Sequence, residues 1–177
     1  LTLVIGLSVA QAIRSNLGVQ AQIKWPNDIV LNGKKLVGIL TEMSAQMNYI
    51  EYLVTGIGIN ANLREFPEEL EDKATSLQKE IGHKVNRSAL IAECMEKIEE
   101  NYEIFVKTQD LSGLMAAYQE ALVNQDQQVR VLEPGHEYTG VARGINDMGE
   151  LLVEKEDGTI TEVYAGEVSV RGLYGYV

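Results

Sequence analysis

The dipeptide Asn-Gly at positions 32 and 33 separates two apolar runs, residues 28–31 and 34–42. Both residue types tolerate the positive φ angles that a type I′ turn requires, so this pattern predicts a β-hairpin. An alternating segment over residues 21–25 comes just before Pro26 and predicts one more strand. Residues 21–42 are therefore expected to form paired strands.

Helical periodicity flanks these strands on both sides. Apolar residues at helical spacing predict an amphipathic helix over residues 1–17, which Asn16 and Gly18 would end. Residues 49–60 are rich in Ile and Val and predict another strand that is buried. A charged connection with two helical fragments is expected over 61–86, followed by helices over 87–107, with Asn86 as N-cap, and over 111–122.

The pattern changes near residue 127 to short strands separated by turn sequences, Glu-Pro-Gly-His, Asn-Asp-Met-Gly and Glu-Asp-Gly. Five such strands at regular spacing predict a small closed β-barrel of the SH3 kind. A chain of 177 residues is long enough for one medium domain and this added module. The predicted strands of the module are residues 128–132, 137–145, 150–156, 159–164 and 167–171.

The charge balance limits the classes of partner. Lys and Arg number 15 against 26 Asp and Glu, so the net charge of −11 argues against non-specific binding of nucleic acid or anionic membrane. The first 50 residues differ, because they hold four basic and two acidic side chains. The predicted hairpin is therefore locally positive in an acidic chain.

Cysteine and histidine are too few for disulfides or common zinc sites. Cys94 is the single cysteine, and only two histidines, His83 and His136, occur in the chain. Cys94 lies on a predicted helix among Ile91, Met95 and Ile98, which predicts a core position rather than a nucleophile with a paired His. The most apolar stretch, residues 1–13, is too short and too polar to span a bilayer and has no signal-peptide pattern. We expect a cytoplasmic protein.

Two segments carry candidate chemistry. Asp28 and Lys35 flank the predicted turn, so a carboxylate and an ammonium group can converge on one ligand, although such a pair is often only a surface salt bridge. A Trp beside a Pro and two small polar residues, at positions 25–28, is costly to expose and is interpreted as the wall of a ligand pocket. The glycines at 56 and 58 predict a close approach of backbone or ligand.

The segment over residues 56–61 also matches the dinucleotide-binding fingerprint superficially. That fingerprint requires a following helix whose N-terminus faces the pyrophosphate, and no long helix is predicted there. The sequence contains no P-loop pattern either. Any nucleotide is therefore expected to bind in another way.

Three blocks, taken in order and spacing, resemble the bacterial biotin protein ligases, the biotin–[acetyl-CoA-carboxylase] ligases. The terminal segment Gly166-Glu167-Val168-Ser169-Val170-Arg171-Gly172 adds to this resemblance, which covers essentially the whole chain. The three blocks are Lys24-Trp25-Pro26-Asn27-Asp28, Lys35-Leu36-Val37-Gly38-Ile39-Leu40 and Gly56-Ile57-Gly58-Ile59-Asn60.

The resemblance implies an α+β fold. Residues 1–124 would form a class II synthetase-like biotin ligase catalytic domain, with a mixed β-sheet flanked by helices and an incomplete N-terminal portion. Residues 125–177 would form the SH3-like barrel. The family joins biotin to ATP, with release of pyrophosphate, and passes biotin from biotinyl-5′-AMP to one lysine of a biotin carboxyl carrier protein of acetyl-CoA carboxylase.

The resemblance also assigns roles to residues. Lys35 would be the catalytic lysine that contacts the biotin carboxylate and the α-phosphate, and Asp28 its acidic partner in adenylation and in orienting the acceptor amine. Mg²⁺ would accompany ATP, without protein ligands of its own, and a homodimer is compatible with the family. Biotin is expected to contact Lys35, Gly38, Leu40, Gly56 and Gly58, and the adenylate to contact Lys24, Asn27, Asp28 and Asn60.

One departure from the family pattern leaves alternatives open. The Gly-Arg-Gly-Arg-type loop that closes over biotin in the family would lie upstream of the first helix, and the sequence contains no such cluster. The chain is therefore expected to lack the first part of the catalytic domain and any DNA-binding winged helix. The alternative prediction is a catalytically incomplete chain that acts only as a carrier-binding or regulatory module. A lipoate-type ligase is disfavoured by the block at 24–28 and the terminal barrel.

Overall fold

A computed structural model describes residues 1–133, 136–164 and 169–172. The described residues before 128 form four α-helices, four strands and a short 3-10 helix over Glu68–Leu70. Those from 128 onward form five strands. In chain order the elements are α1 Thr2–Leu17, β1 Gln22–Lys24, β2 Asp28–Leu31, β3 Lys34–Gln46, β4 Tyr49–Ile59, α2 Leu77–Ile81, α3 Arg87–Thr108, α4 Met115–Ala121, β5 Gln128–Glu133, β6 His136–Ile145, β7 Leu151–Glu154, β8 Ile160–Val163 and β9 Ser169–Gly172.

The first four strands form one sheet in the order β1-β2-β3-β4. Asn32 and Gly33 both have positive φ, 51° and 76°, which confirms the predicted turn between β2 and β3. All three strand pairs are antiparallel. We expected a mixed sheet, but its strands pair only in the antiparallel sense. Among the described residues, parallel pairing occurs at two isolated bridges, Ile23–Leu122 and Lys35–Ala74.

Helix α1 packs across this sheet. We expected an amphipathic helix, but residues from Leu3 to Ala10 are buried without interruption. The reason is that α1 contacts the sheet, α3 and α4, so more than one of its faces is covered. The side-chain amide of Asn101 on α3 donates to Ser8 Oγ and Gln11 Oε1, at 2.9 and 2.8 Å, and joins the two helices.

Strand β4 corrects the prediction of a buried strand. Most of its side chains are exposed, including Tyr52, Leu53 and Val54. The apolar side chains of β3 are buried only up to Ile39, where α1 lies over the sheet. Beyond that point the β3–β4 hairpin extends past the helix, so its composition predicted a strand correctly but not its burial.

Helix α3 begins at the predicted N-cap. Asn86 Oδ1 accepts from the backbone N–H groups of Ser88 and Ala89, which satisfies two donors of the first turn. Cys94 is buried, as predicted, but its neighbours Ile91 and Met95 are exposed, which corrects their expected core position. The helix therefore packs on α1 along a narrower stripe than its sequence suggested.

The Cys94 thiol should react slowly with thiol reagents. Burial, and next the nearby Glu93 carboxylate, raise the pKa of the Cys94 thiol above its usual range and disfavour the reactive thiolate. We expect an aromatic disulfide reagent to react at least about tenfold more slowly with the native protein than with the urea-unfolded protein at neutral pH. Equal rates in the two states would show that the thiol is accessible and would contradict the packing of α3.

The last predicted helix is shorter than expected. Residues 111–114 form a turn instead, because the Leu111 N–H donates to Asp147 O, across to the C-terminal sheet, at 2.9 Å. The C-terminal strands pair antiparallel in the order β8-β7-β6-β5-β9. The five predicted short strands are therefore present, and the α+β class is confirmed. Among the described residues, no pairing between β8 and β9 closes these strands into a barrel.

Parts of the predicted C-terminal module lie outside the described residues. Residues 134 and 135 of a predicted turn, and residues 165–168 with the first part of the predicted terminal segment, lie outside the described residues. The boundary between residues 124 and 125 stays a prediction.

None of the helices in the described ranges combines the length and apolar character that a membrane span requires.

Candidate active site

The predicted site residues lie on three adjacent strands. Asp28 on β2 is directly opposite Gly38 on β3, and Gly38 is directly opposite Gly58 on β4. Two residues further along β3, Leu40 is directly opposite Gly56 on β4. Because side chains of directly opposite residues share a face of the sheet, this register places the carboxylate at one end of a floor made largely of glycine.

A β-bulge brings Lys35 to the same face. The register between β2 and β3 shifts at Ile29 and Val30, so that Val30 pairs with Lys35 while Ile29 pairs with Val37. Regular alternation would place Lys35 and Gly38 on opposite faces, because they are three residues apart. The bulge reverses this relation, which is the known structural effect of one extra residue in a strand.

Lys35 and Asp28 form an ion pair on that face, with 2.6 Å between Lys35 Nζ and Asp28 Oδ1. The carboxylate side chain is 14% exposed and the lysine side chain 41% exposed, so the pair is open on one side. A pair of this exposure contributes little to stability, typically about 0–1 kcal/mol. Its chemical importance is greater, because it holds the Lys35 ammonium group beside the glycine-rich surface of the strands.

An open cavity of about 540 Å³ lies over this floor. Seven of the nine predicted site residues line it, and the bulge and the strand register account for their convergence. Ile39 and Ile57 complete the lining. The seven predicted residues are Asn27, Asp28, Lys35, Gly38, Leu40, Gly56 and Gly58.

Lys24 and Asn60 do not line the cavity. Lys24 is 6% exposed and pairs with Asp28 in the β1–β2 register, so it lies next to the site within the sheet. The Asn60 N–H donates to Leu36 O at 3.0 Å, and Asn60 O accepts from the Leu77 N–H at 2.9 Å. Asn60 thereby joins the end of β4 to β3 and α2, and the adenylate contacts of both residues stay predictions.

Trp25 has a different place from the one predicted. We interpreted it as a pocket wall, but it is 1% exposed and cannot line an open cavity. Its indole Nε1–H donates to Gly149 O in the C-terminal module at 3.0 Å. A β-carbon at Gly149 would come within 3 Å of Leu111 and Leu3, so this turn lies close against the first module. Trp25 therefore joins the two modules behind the site.

Asn27 closes the turn that leads from Trp25 to Asp28. Its side-chain Nδ2 donates to Ile39 O, and its backbone O accepts from the Ile39 N–H, both at 2.9 Å. These two bonds fasten the turn to β3 on either side of one residue. The carboxylate of Asp28 thus starts from a fixed backbone.

Glycine at position 38 is a requirement of space. A β-carbon there would lie 3.3 Å from Lys35 Cε and 3.4 Å from Lys35 Nζ, so any side chain would press on the ion pair. At Gly58 the nearest atom to an added β-carbon is Gly38 O, at 3.7 Å, which is ordinary contact. Gly38 therefore leaves room for Lys35, whereas Gly58 lines the open cavity and has space for a β-carbon.

Sequence reasoning missed one part of the site. The connection after β4 returns to Lys35, whose N–H donates to Lys73 O at 2.7 Å and whose O accepts from the Thr75 N–H at 2.9 Å. We predicted this connection as irregular and charged, and no periodic pattern in it marks a pairing segment. Residues 73–75 nevertheless fix both backbone groups of the central lysine.

Known biotin protein ligases are similar to this chain in sequence and in fold. A model of the Biotin/lipoate A/B protein ligase family matches residues 1–60, and a model of the Biotin protein ligase C terminal domain matches residues 126–171. The apo structure of biotin protein ligase from Aquifex aeolicus is similar, with a TM-score of 0.85 and 33% identity over 96% of this chain and 73% of that chain. The Aquifex aeolicus enzyme in complex with biotin and ATP has a TM-score of 0.83 and 31% identity, covering 97% of this chain and 70% of that chain.

Curated relatives point the same way. The bifunctional ligase/repressor BirA of Bacillus subtilis is 36% identical over 96% of this chain and 52% of its own length. The biotin–[acetyl-CoA-carboxylase] ligase of Mycobacterium tuberculosis is 30% identical over 95% of this chain and 61% of its own length. The chain belongs to the biotin protein ligase family. It spans roughly half to three fifths of the length of these curated relatives.

Proposed function

We propose that this chain carries the catalytic lysine and most of the biotin floor of an ATP-dependent ligase, which attaches biotin to a lysine of a biotin carboxyl carrier protein through biotinyl-5′-AMP. The observation that carries the proposal is the Lys35–Asp28 ion pair at the edge of the cavity floored by Gly38, Gly56 and Gly58. The names of the relatives, and the Aquifex aeolicus complex with biotin and ATP, support this choice of substrates.

The first step brings two anions together. A biotin carboxylate oxygen attacks the α-phosphorus of ATP, the bond to the β-phosphate bridging oxygen breaks, and pyrophosphate leaves. The site must supply fixed positive charge where negative charge develops, and the Lys35 ammonium is a compact cation with three donors. Its backbone is held at both the N–H and the C=O by residues 73–75, so little reorganisation is needed.

In the second step the acceptor amine attacks the carbonyl carbon of biotinyl-5′-AMP. The bond to the adenylate oxygen breaks, AMP leaves, and the amine must lose a proton. Asp28 is 14% exposed at the edge of the cavity, where its carboxylate can take or steer that proton. The ion pair thus provides a cation for the first step and a proton acceptor for the second.

Mg²⁺ would enter with ATP. Among the described residues there is no group of three or more His, Cys, Asp or Glu side chains that could hold a metal ion. Mg²⁺ commonly binds substrate phosphates with one or two carboxylates and several waters rather than a protein cage. In this proposal the metal is carried by the nucleotide, and its role would be to neutralise phosphate charge.

We also propose where the chain acts and with which partners. The chain would act in the cytoplasm on a carrier protein, as a monomer or a homodimer, and would not bind nucleic acid by itself, in keeping with its net charge of −11. The locally positive start of the chain, with Lys34 and Lys35 in the hairpin, suits an anionic nucleotide better than the chain average does.

A direct test is to incubate the protein with biotin and MgATP and to search for biotinyl-5′-AMP by mass spectrometry. Adenylate formation, followed by biotinylation of an added carrier domain, is the expected result. The second candidate function is a carrier-binding or regulatory module without ligase activity. Binding of the carrier domain with no adenylate would select that module and reject the ligase.

Gly58→Ala should weaken biotin binding without disturbing the fold. The added methyl group meets the protein only at ordinary contact distance, so it would project into the open cavity where we place biotin. A methyl group in a filled site costs about 1–3 kcal/mol, so the dissociation constant measured by calorimetry should rise roughly 5- to 150-fold.

Gly6→Ala is the matched control, because Gly6 is buried on α1 and does not line the cavity, and its new β-carbon would lie 3.8 Å from Ile39 Cδ1, an ordinary contact. It should bind biotin as the parent chain does. Equal affinity of Gly58→Ala and the parent chain would remove biotin from the glycine floor.

A further inference from the structure

A single carboxylate links the two backbone segments that flank Lys35. Glu80 Oε2 accepts from Asn32 Nδ2 in the β2–β3 turn at 2.6 Å, and Glu80 Oε1 accepts from Thr75 Oγ1. Thr75 is the residue whose N–H donates to Lys35 O. One side chain therefore joins the turn that precedes Lys35 to the segment that pairs with Lys35.

Glu80 itself stands on a well-anchored element. It lies on α2, whose N-cap is Ser76, and the Ser76 side chain accepts from the Lys79 N–H. Leu77 is fully buried, and its N–H donates to Asn60 O at the end of β4. The helix is thereby tied to the same sheet that carries the ion pair, so a carboxylate on it can act as a fixed link.

We propose that Glu80 is a positioning residue that holds Lys35 against Asp28 by fastening the Asn32 turn to the Thr75 pairing segment. Without this carboxylate, the turn and the pairing segment lose their connection, and the Lys35 ammonium is placed less accurately over the glycine floor. The catalytic consequence rests on the function proposed above, whereas the structural link does not depend on it.

The structure also suggests which variants separate hydrogen bonding from charge. Glu80→Ala removes both bonds. Glu80→Gln keeps an acceptor oxygen for Asn32 and offers an N–H to the Thr75 hydroxyl, which can also accept. Glu69 lies on the exposed 3-10 helix, and its side chain has no hydrogen bond or ion pair among the described residues, so Glu69→Ala removes only an exposed negative charge.

The first measurement is amide hydrogen exchange at Lys35 and Thr75, the two backbone donors of the pairing. We expect exchange about tenfold faster or more in Glu80→Ala, since two hydrogen bonds to a carboxylate are lost. Glu80→Gln should stay within about threefold of the parent chain, and Glu69→Ala should equal it. Unchanged exchange in Glu80→Ala, or an equal rise at the β5 and β6 amides, would overturn the proposal.

The second measurement is the steady-state rate of adenylate formation. In Glu80→Ala we expect kcat to fall about tenfold while KM for biotin changes less than about twofold, with Glu80→Gln restoring most of the loss. Faster exchange at Lys35 with an unchanged kcat would overturn the positioning role. If the parent chain forms no adenylate, the proposed function fails, and the exchange measurement alone still decides whether the link exists.

Discussion

Lys35→Ala is expected to lower the rate of biotinyl-5′-AMP formation by about 10²–10³-fold, the usual effect of removing one preorganised donor from a developing anion. The ammonium group is the cation that the described residues place over the cavity together with Asp28. Its loss also leaves the Asp28 carboxylate facing two incoming anions, which should further disfavour the bound nucleotide. The rate is measured by mass spectrometry of the adenylate under saturating biotin and MgATP.

The same substitution should leave the fold almost unchanged. Lys35 is 41% exposed, and exposed ion pairs contribute about 0–1 kcal/mol, so the free energy of unfolding should fall by no more than that. Lys84→Ala is the matched control, because Lys84 is an exposed lysine outside the cavity.

Lys35→Arg adds a second comparison. A planar guanidinium replaces a compact ammonium, and Gly38 leaves little room beside the present side chain, so this variant should recover only part of the rate. Adenylate formation by Lys35→Ala at the parental rate would remove Lys35 from the catalytic role.

Trp25→Ala should have the largest effect on stability. The side chain is 1% exposed within the core, and truncation of a buried Trp typically costs about 3–5 kcal/mol. Its indole N–H is also the partner of Gly149 O, which would lose its hydrogen bond. Urea unfolding followed by far-ultraviolet circular dichroism measures the change, because the variant lacks the chain's one Trp.

Trp25→Phe separates packing from hydrogen bonding. It keeps most of the ring but has no N–H, so we expect a loss of about 1–3 kcal/mol from the unpaired carbonyl and the smaller ring. A loss below about 1 kcal/mol in Trp25→Ala would contradict its burial between the two modules. Since Trp25 precedes the turn to Asp28, the comparison also tests how far the C-terminal module supports the site.

Local features of this protein follow from its sequence because neighbouring residues decide them. The φ preferences of Asn32 and Gly33 set the hairpin turn, and the side chain of Asn86 caps α3 within three residues. The turn and the cap depend only on contacts along a short stretch of chain. The seven predicted residues that line one cavity were named by the resemblance of three sequence blocks to the biotin protein ligases.

Burial, facing and long-range support were decided only by the tertiary structure. Lys35 reaches the face of Asp28 because a bulge reverses the alternation of β3, and segment 73–75 holds its backbone from 38 or more residues away. Trp25 is buried because a turn 124 residues later packs on it, while β4 is exposed because α1 ends its coverage at Ile39. These outcomes depend on which distant surfaces meet, and the composition of a strand or a turn carries no record of its partner.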